Sequence, residues 1–348
     1  MIGFRAMSLR GLEGQIVAPP AEPTVLRLAI ANAGAIPSAD YKYNTETLEF
    51  SKQTGVDVQP TSNGACVRVS PTGKWMLFGT INTPYNVLYK RVNNVWVKFS
   101  ELAVAGRVNG ACFSHDDTHL IMSHNSAPYV TIYEIVGDTF TQVAFTSHIA
   151  SNGLAAAYHP TLDIFISSHQ GAPNVVCYQK VGNTYELLNT PYAPPQSVGY
   201  GCRFSPDGTL AVVATGGGPT AVLYRFDENG FGDRFAGDIP IAGYSARTAL
   251  LTNDNQYLVV GHLTTPFWSY IQVNPTAGTY GASLPVPTLP SYGIYADLSP
   301  AGDILAIARY GAGYLSIFRL NGDTITSIPY GSSPNNNGAG ANFYLTVE

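Results

Sequence analysis

A unit of about 44 to 47 residues recurs along almost the whole chain, and it limits the fold more tightly than any other feature of the sequence. Each unit reads as an apolar strand, a tight turn, a second apolar strand, a loop usually holding proline, a strand bearing tyrosine, a hairpin and a last strand. The turns are Ser70-Pro71-Thr72-Gly73, Ser114-His115-Asp116-Asp117, His159-Pro160-Thr161-Leu162, Ser205-Pro206-Asp207-Gly208, Thr252-Asn253-Asp254-Asn255 and Ser299-Pro300-Ala301-Gly302. Their first residues lie 44, 45, 46, 47 and 47 positions apart. A further step of 47 from Ser299 reaches Thr346, inside an apolar strand predicted over Ala341 to Val347. The rest of that unit is found near the start of the chain, as predicted strands Val25 to Ala31, Ala39 to Asn44 and Leu48 to Ser51. Four short strands per unit at this period predict an all-β, seven-bladed β-propeller of four-stranded antiparallel blades over residues 24–348. The last blade is closed by one C-terminal and three N-terminal strands, which removes the open sheet edge. Residues 1–23 are left over as an N-terminal arm.

A chain of 348 residues exceeds the usual size of one hydrophobic core, but a propeller escapes that limit because each blade packs only on its neighbours. Charged residues make up only 12%, about half the globular average, while Gly, Pro and Tyr are plentiful. The net charge of −5 offers no basic surface for a nucleic-acid backbone. No apolar run is long enough to span a bilayer, and Arg5 and Arg10 interrupt any secretory h-region, so neither membrane insertion nor a signal peptide is expected. The cysteines Cys66, Cys112, Cys177 and Cys202 fit no zinc spacing and are expected as buried free thiols, implying a reducing compartment.

Alternation places Val67, Val69, Ala111, Phe113, Ala156, Tyr158, Cys202, Phe204, Ala249, Leu251, Ala296, Leu298, Phe343 and Leu345 between blades. The residues between them are Arg68, Cys112, Ala157, Arg203, Leu250, Asp297 and Tyr344, which would line the channel. Two arginines and one aspartate there are expected as an internal ion pair or solvated channel charges rather than a ligand site. The turn aspartates Asp116, Asp207, Asp254 and Asp303 are expected to serve the backbone.

The opposite face carries the less uniform loops, where a propeller places its specificity. The second strands end in Asn32, Thr80, His124, His169, Thr215, His262 and Arg309, an expected ring at the channel mouth. Beyond it, prolines stiffen a rim where Tyr85, Tyr129, Phe267, Trp268 and Tyr314 offer flat apolar area with polar handles. Asn63, Asn109, Asn152, Tyr200, Tyr244 and Tyr292 add to it from the connections between blades. Three histidines in one ring raise the question of a metal, but no Asp or Glu aligns with them to complete a site. No metal, cofactor or catalytic residue is expected, and the histidines are read as hydrogen-bonding the rim loops.

The segment Cys202-Arg203-Phe204-Ser205-Pro206-Asp207-Gly208-Thr209-Leu210-Ala211-Val212 resembles the start of a blade in WD40 and lactonase-type propellers. Third strands ending in Leu88-Tyr89-Lys90 or Ile132-Tyr133-Glu134, without Trp-Asp, depart from the WD40 pattern. The low charge and the wealth of Tyr, Thr, Asn and Gly resemble propeller proteins of bacteriophage virions. That likeness implies a non-enzymatic virion component in the tail, fibre or capsid surface. It would dock on other virion or assembly proteins through Phe4, Met7, Leu9 and Leu12 of the arm, leaving a propeller face for a host-surface glycan or protein. The alternatives are a lactonase-like hydrolytic enzyme and a cytoplasmic interaction scaffold.

Overall fold

A computed structural model describes residues 24–33, 38–53, 56–149, 151–241, 245–310, 314–330 and 337–347. These residues form seven four-stranded antiparallel sheets, and the protein is a seven-bladed β-propeller. Blade 1 contains Gly64–Val69, Trp75–Thr80, Asn86–Val92 and Val95–Ser100; blade 2, Val108–Phe113, His119–His124, Val130–Val136 and Thr139–Gln142. Blade 3 contains Gly153–Tyr158, Ile164–His169, Val175–Val181 and Thr184–Asn189; blade 4, Gly199–Phe204, Leu210–Thr215, Ala221–Asp227 and Gly230–Arg234. Blade 5 contains Ala246–Leu251, Tyr257–His262, Trp268–Asn274 and Thr279–Leu284; blade 6, Gly293–Leu298, Ile304–Arg309, Leu315–Asn321 and Thr324–Ser327. Blade 7 is assembled from Asn337–Val347, Thr24–Ala33, Ser38–Asn44 and Glu49–Lys52, in that sheet order.

The second strands are the most apolar because both faces are covered: every residue of Trp75–Thr80, His119–His124 and Leu210–Thr215 is buried. Cores form between blades rather than within them. Leu28, Ile30, Tyr41 and Phe343 of blade 7 pack with Ile304, Ala306, Leu315 and Ile317 of blade 6. Its other face sends Ala29, Ala31 and Tyr344 against Val67, Phe78, Tyr89 and Trp96 of blade 1. Blade 7 therefore locks the ring through ordinary apolar burial on both sides, worth roughly 25 cal/mol per Å2 removed from water.

The predicted closure is observed, with Leu28 opposite Phe343 and Ile30 opposite Ala341. Its register differs from the expected one by two residues. Asn342 stands where Arg68, Arg203 and Asp297 stand in their blades, since each follows the residue paired two positions before the bulged end of its second strand. Tyr344 consequently does not line the channel: it is buried between blades 7 and 1, and the interblade positions fall to Ala341 and Phe343. The cause is that the last unit has no turn to make, so its inner strand runs on to Val347 where other blades reverse.

The turns of Asp116, Asp207 and Asp254 behave as expected, whereas Asp303 accepts from Ser299 Oγ and pairs with Arg319 rather than serving a backbone N–H. In blade 4, Ser205 Oγ donates to Asp207 Oδ1 at 2.6 Å and accepts from Leu210 N at 2.9 Å, while Gly208 takes a φ of 79°. All four cysteines are buried and free. The arm residues Phe4, Met7, Leu9 and Leu12 lie outside the described residues.

Candidate functional site

Every inner strand carries an irregularity near its start, where one residue slips out of the ladder. The slipped residues are Ala65, Asn109, Leu154, Tyr200, Arg247 and Ile294 in blades 1 to 6. Such bulges re-aim a side chain and twist the strand locally. Asn109 and Tyr200 thus belong to the inner strands, not to the connections between blades.

The tight-turn end of the channel holds a belt of polar side chains contributed by equivalent positions. Arg203 of blade 4 reaches past blade 5 to blade 6, where Nη1 donates to Asp297 Oδ1 and Nη2 donates to Ala296 O at 2.9 Å. Asp297 Oδ2 accepts from Asn342 Nδ2 at 2.9 Å and Phe343 N at 2.7 Å in blade 7, and Asn342 Oδ1 accepts from Val69 N at 2.6 Å in blade 1. Arg68 Nε continues the belt to Ala111 O of blade 2 at 3.1 Å. The expected channel ion pair is therefore present as Arg203 and Asp297. Burial lowers the pKa of Arg203 and Arg68 adds to that, while Asp297 opposes it.

The belt of side chains is interrupted at blades 2, 3 and 5, where the equivalent residues are Cys112, Ala157 and Leu250. Two cavities open there. One of about 280 Å3 is lined by Arg68, Cys112, Ala157, Tyr158 and Arg203. The other, of about 240 Å3, is lined by Arg203, Leu250, Asp297 and Leu298. Arg203 is common to both, so they form one vestibule with two lobes. Arg68 donates only to the carbonyl oxygens of Val67, Ala111 and Ala341 and makes no ion pair among the described residues. The vestibule has two guanidinium groups and one carboxylate, a positive pocket within an acidic protein.

Above this vestibule the channel is crossed by Tyr295 of blade 6, whose hydroxyl donates to Asn109 O of blade 2 at 2.9 Å. Burial pushes this phenol up to about 12, so it stays a neutral donor at physiological pH.

The expected ring at the other mouth is displaced inward. Thr80, His124, His169, Thr215, His262 and Arg309 are all buried, at 3% exposure or less, and cannot touch a partner from where they lie. They hold the loops that follow. Thr80 Oγ1 donates to Asn82 O at 3.1 Å and to Pro84 O; Thr215 Oγ1 donates to Gly217 O at 2.8 Å and to Pro219 O. Arg309 Nη2 donates to Leu315 O, His124 Nε2 bonds Thr131 Oγ1 at 3.0 Å, and His262 Nε2 bonds Ser269 Oγ at 2.9 Å. Asn32 shares the register position, paired with Gly338. Of the rim aromatics, Tyr85, Tyr129, Phe267 and Tyr314 are half-buried, whereas Trp268 is fully buried with Nε1 donating to Pro287 O. Thr and His recur at this one repeat position, where the threonines bond loop carbonyls and His124 and His262 bond hydroxyls of the third strand.

No family model matches the sequence, and no curated protein is significantly similar to it. Solved structures share its fold. A candidate 6-phosphogluconolactonase from Bacteroides uniformis superposes with a TM-score of 0.72 at 13% identity, covering 92% of this chain and 99% of that one. A second, from Bacteroides fragilis, gives 0.73 at 13% identity over 92% and 98%. The periplasmic gluconolactonase of Pseudomonas aeruginosa gives 0.72 at 15% identity over 93% and 100%. Identity this low establishes the shared fold alone. The likeness is to lactonase-type propellers, and nothing in it points to a virion. The expected non-enzymatic virion component, located in a phage particle, is corrected accordingly, and the lactonase-like alternative is the better supported. Among the described residues no helix is long and apolar enough to cross a membrane.

Proposed function

We propose that the protein is a lactonase-like hydrolase that binds an anionic sugar lactone in the tight-turn vestibule. The observation that carries this reading is Arg68. It is a cation bonded only to carbonyl oxygens, facing a cavity that Arg203 also lines, while Asp297 lines the adjoining lobe on the other side of Arg203. Hydrolysis of a lactone needs an acceptor for a water proton and a donor for the oxyanion that forms at the carbonyl. Asp297 is the acceptor: it lines the vestibule and is oriented by Arg203 Nη1, Asn342 Nδ2 and Phe343 N. Arg203 steadies the oxyanion and Arg68 takes the substrate's fixed negative charge. Water adds to the carbonyl carbon as its proton passes toward Asp297. The ring C–O bond then breaks, the ring oxygen takes up the proton that Asp297 accepted from water, and a hydroxy acid leaves. The neighbours named for gluconolactone and 6-phosphogluconolactone hydrolysis support this reading.

The test is a continuous acid-release assay with 6-phosphogluconolactone and gluconolactone, corrected for spontaneous opening. Arg68→Ala should raise KM for the phosphorylated substrate at least tenfold and leave the unphosphorylated one little changed. Asp297→Asn should lower kcat by about two to four orders of magnitude, the range of general-base catalysis. A parent protein that does not accelerate either lactone would overturn the proposal.

A further inference from the structure

We infer that the opposite mouth of the channel is a second ligand site, which takes a carboxylated sugar ring of the uronate type. The inference does not rest on the lactonase reading.

Charge on that face departs sharply from the chain as a whole. The loops between second and third strands of blades 1 to 6, and the five residues before each of their inner strands, contain no Asp or Glu, although the protein has 23 acidic residues against 18 Lys and Arg. Two arginines stand in this acid-free setting. Arg247 is the slipped residue of blade 5, and Arg107 is the exposed last residue before the inner strand of blade 2. Neither makes an ion pair among the described residues.

Arg247 is also placed for a ring-bearing anion. Its guanidinium lies over the ring of Tyr200, the slipped residue of blade 4, at 3.8 Å from the centroid. A guanidinium stacked in this way keeps its edge N–H groups available for a bidentate carboxylate. Beside it in blade 6, Tyr292 and Tyr310 stack at 5.3 Å with planes 9° apart, and Tyr310 is 48% exposed. A tyrosine face suits the C–H face of a pyranose, and its hydroxyl bonds the sugar's oxygens. With no carboxylate in those segments of blades 1 to 6 to accept sugar hydroxyls, the arginine should select the acidic ring over the neutral one. Tyr295 crosses the channel below this mouth through its bond to Asn109 O, between this site and the vestibule beyond.

The experiment is calorimetric titration of the full chain with D-glucuronate at low ionic strength, with D-glucose and adenosine monophosphate as comparisons. Saturable glucuronate binding is expected, with glucose at least tenfold weaker. R247A should weaken it at least tenfold and Y310A severalfold. A157L, which fills the other vestibule, should leave it unchanged. R247K tests geometry against charge and should recover only part of the affinity. The inference is overturned if glucuronate does not saturate, if the nucleotide binds and glucuronate does not, or if R247A binds as the parent does. Loss of glucuronate binding in A157L would also overturn it, by placing the ligand at the wrong end of the channel.

Discussion

Arg203 and Asp297 meet across a blade that contributes nothing to their contact: the pair joins blade 4 to blade 6 past Leu250 of blade 5. A buried pair of this kind stores its importance in what happens when one half is lost, because the remaining charge is stranded. Replacing Asp297 by Asn is expected to cost about 2 to 4 kcal/mol, toward the lower part of the range for buried pairs since Arg203 retains Ala296 O and some solvent contact. Replacing both with Leu should recover most of that stability. Urea unfolding of the two single variants and the double variant checks the coupling. Activity separates the roles, because the stable double variant should remain inactive.

Ala157 is where the belt leaves room. Ala157→Leu places three extra carbons into the lobe between Cys112 and Arg203, a space of about 280 Å3 that can accept them without overpacking. Stability should change by less than about 1 kcal/mol. Lactone hydrolysis should fall at least tenfold, chiefly through KM. Unchanged kinetics in a folded A157L would move the substrate to another part of the channel.

The buried histidines give the fold an acid limit. Burial pushes His169 down to about 4, opposed by the backbone of Gly171, and burial lowers His124 and His262 as well. The unfolded chain therefore takes up these protons first, near pH 6.5. Their neutral burial contributes full stability above that value, and the contribution falls as pH drops from about 6.5 toward 4. Thr80 and Thr215 show that threonine serves the same position. In His169→Thr, melting temperature should fall less steeply across this window than in the parent, whatever its value at pH 8.

The repeat was legible because most blades repeat the same physical solution: a buried second strand, a serine- or threonine-led turn and a tyrosine on the third strand. Arg203 and Asp297 were also legible as channel charges, since equivalent positions must converge on the axis. Other features escaped for identifiable reasons. Asn342 was missed because the last unit has no turn to anchor its register, and counting 47 from Ser299 overshot by two. The ring of Thr and His residues was placed at the surface because strand ends usually emerge there. In this fold the following loop folds back over them, and burial decides. Arg247 gave no signal at all: its role depends on a bulge that aims it at Tyr200, and a bulge has no motif of its own.

The seam of blade 7 has a polar lock that can be opened by one atom. Tyr344 Oη donates to Asp40 Oδ1 at 2.8 Å and accepts from Trp96 Nε1 at 3.1 Å, tying two strands of blade 7 to the outer strand of blade 1. Asp40 is also paired with Arg27 at 2.8 Å. Burial raises the pKa of Asp40, while Arg27 and the Tyr344 hydroxyl pull it back down. Tyr344→Phe removes the hydroxyl, leaves the indole N–H unsatisfied and lets the carboxyl rise further. The cost should be about 1 to 3 kcal/mol, the range for a buried group deprived of its partner. The sign of its pH dependence follows from the raised carboxyl. A folded-state pKa above the unfolded value means that the folded protein holds the proton longer, so stability is lost as pH rises from about 4 through the folded pKa. Tyr344→Phe raises that pKa and should therefore be more destabilising at pH 7 than at pH 4, as measured by urea midpoints at the two values. Equal destabilisation at both would show that the hydroxyl does not hold Asp40 in its charged form.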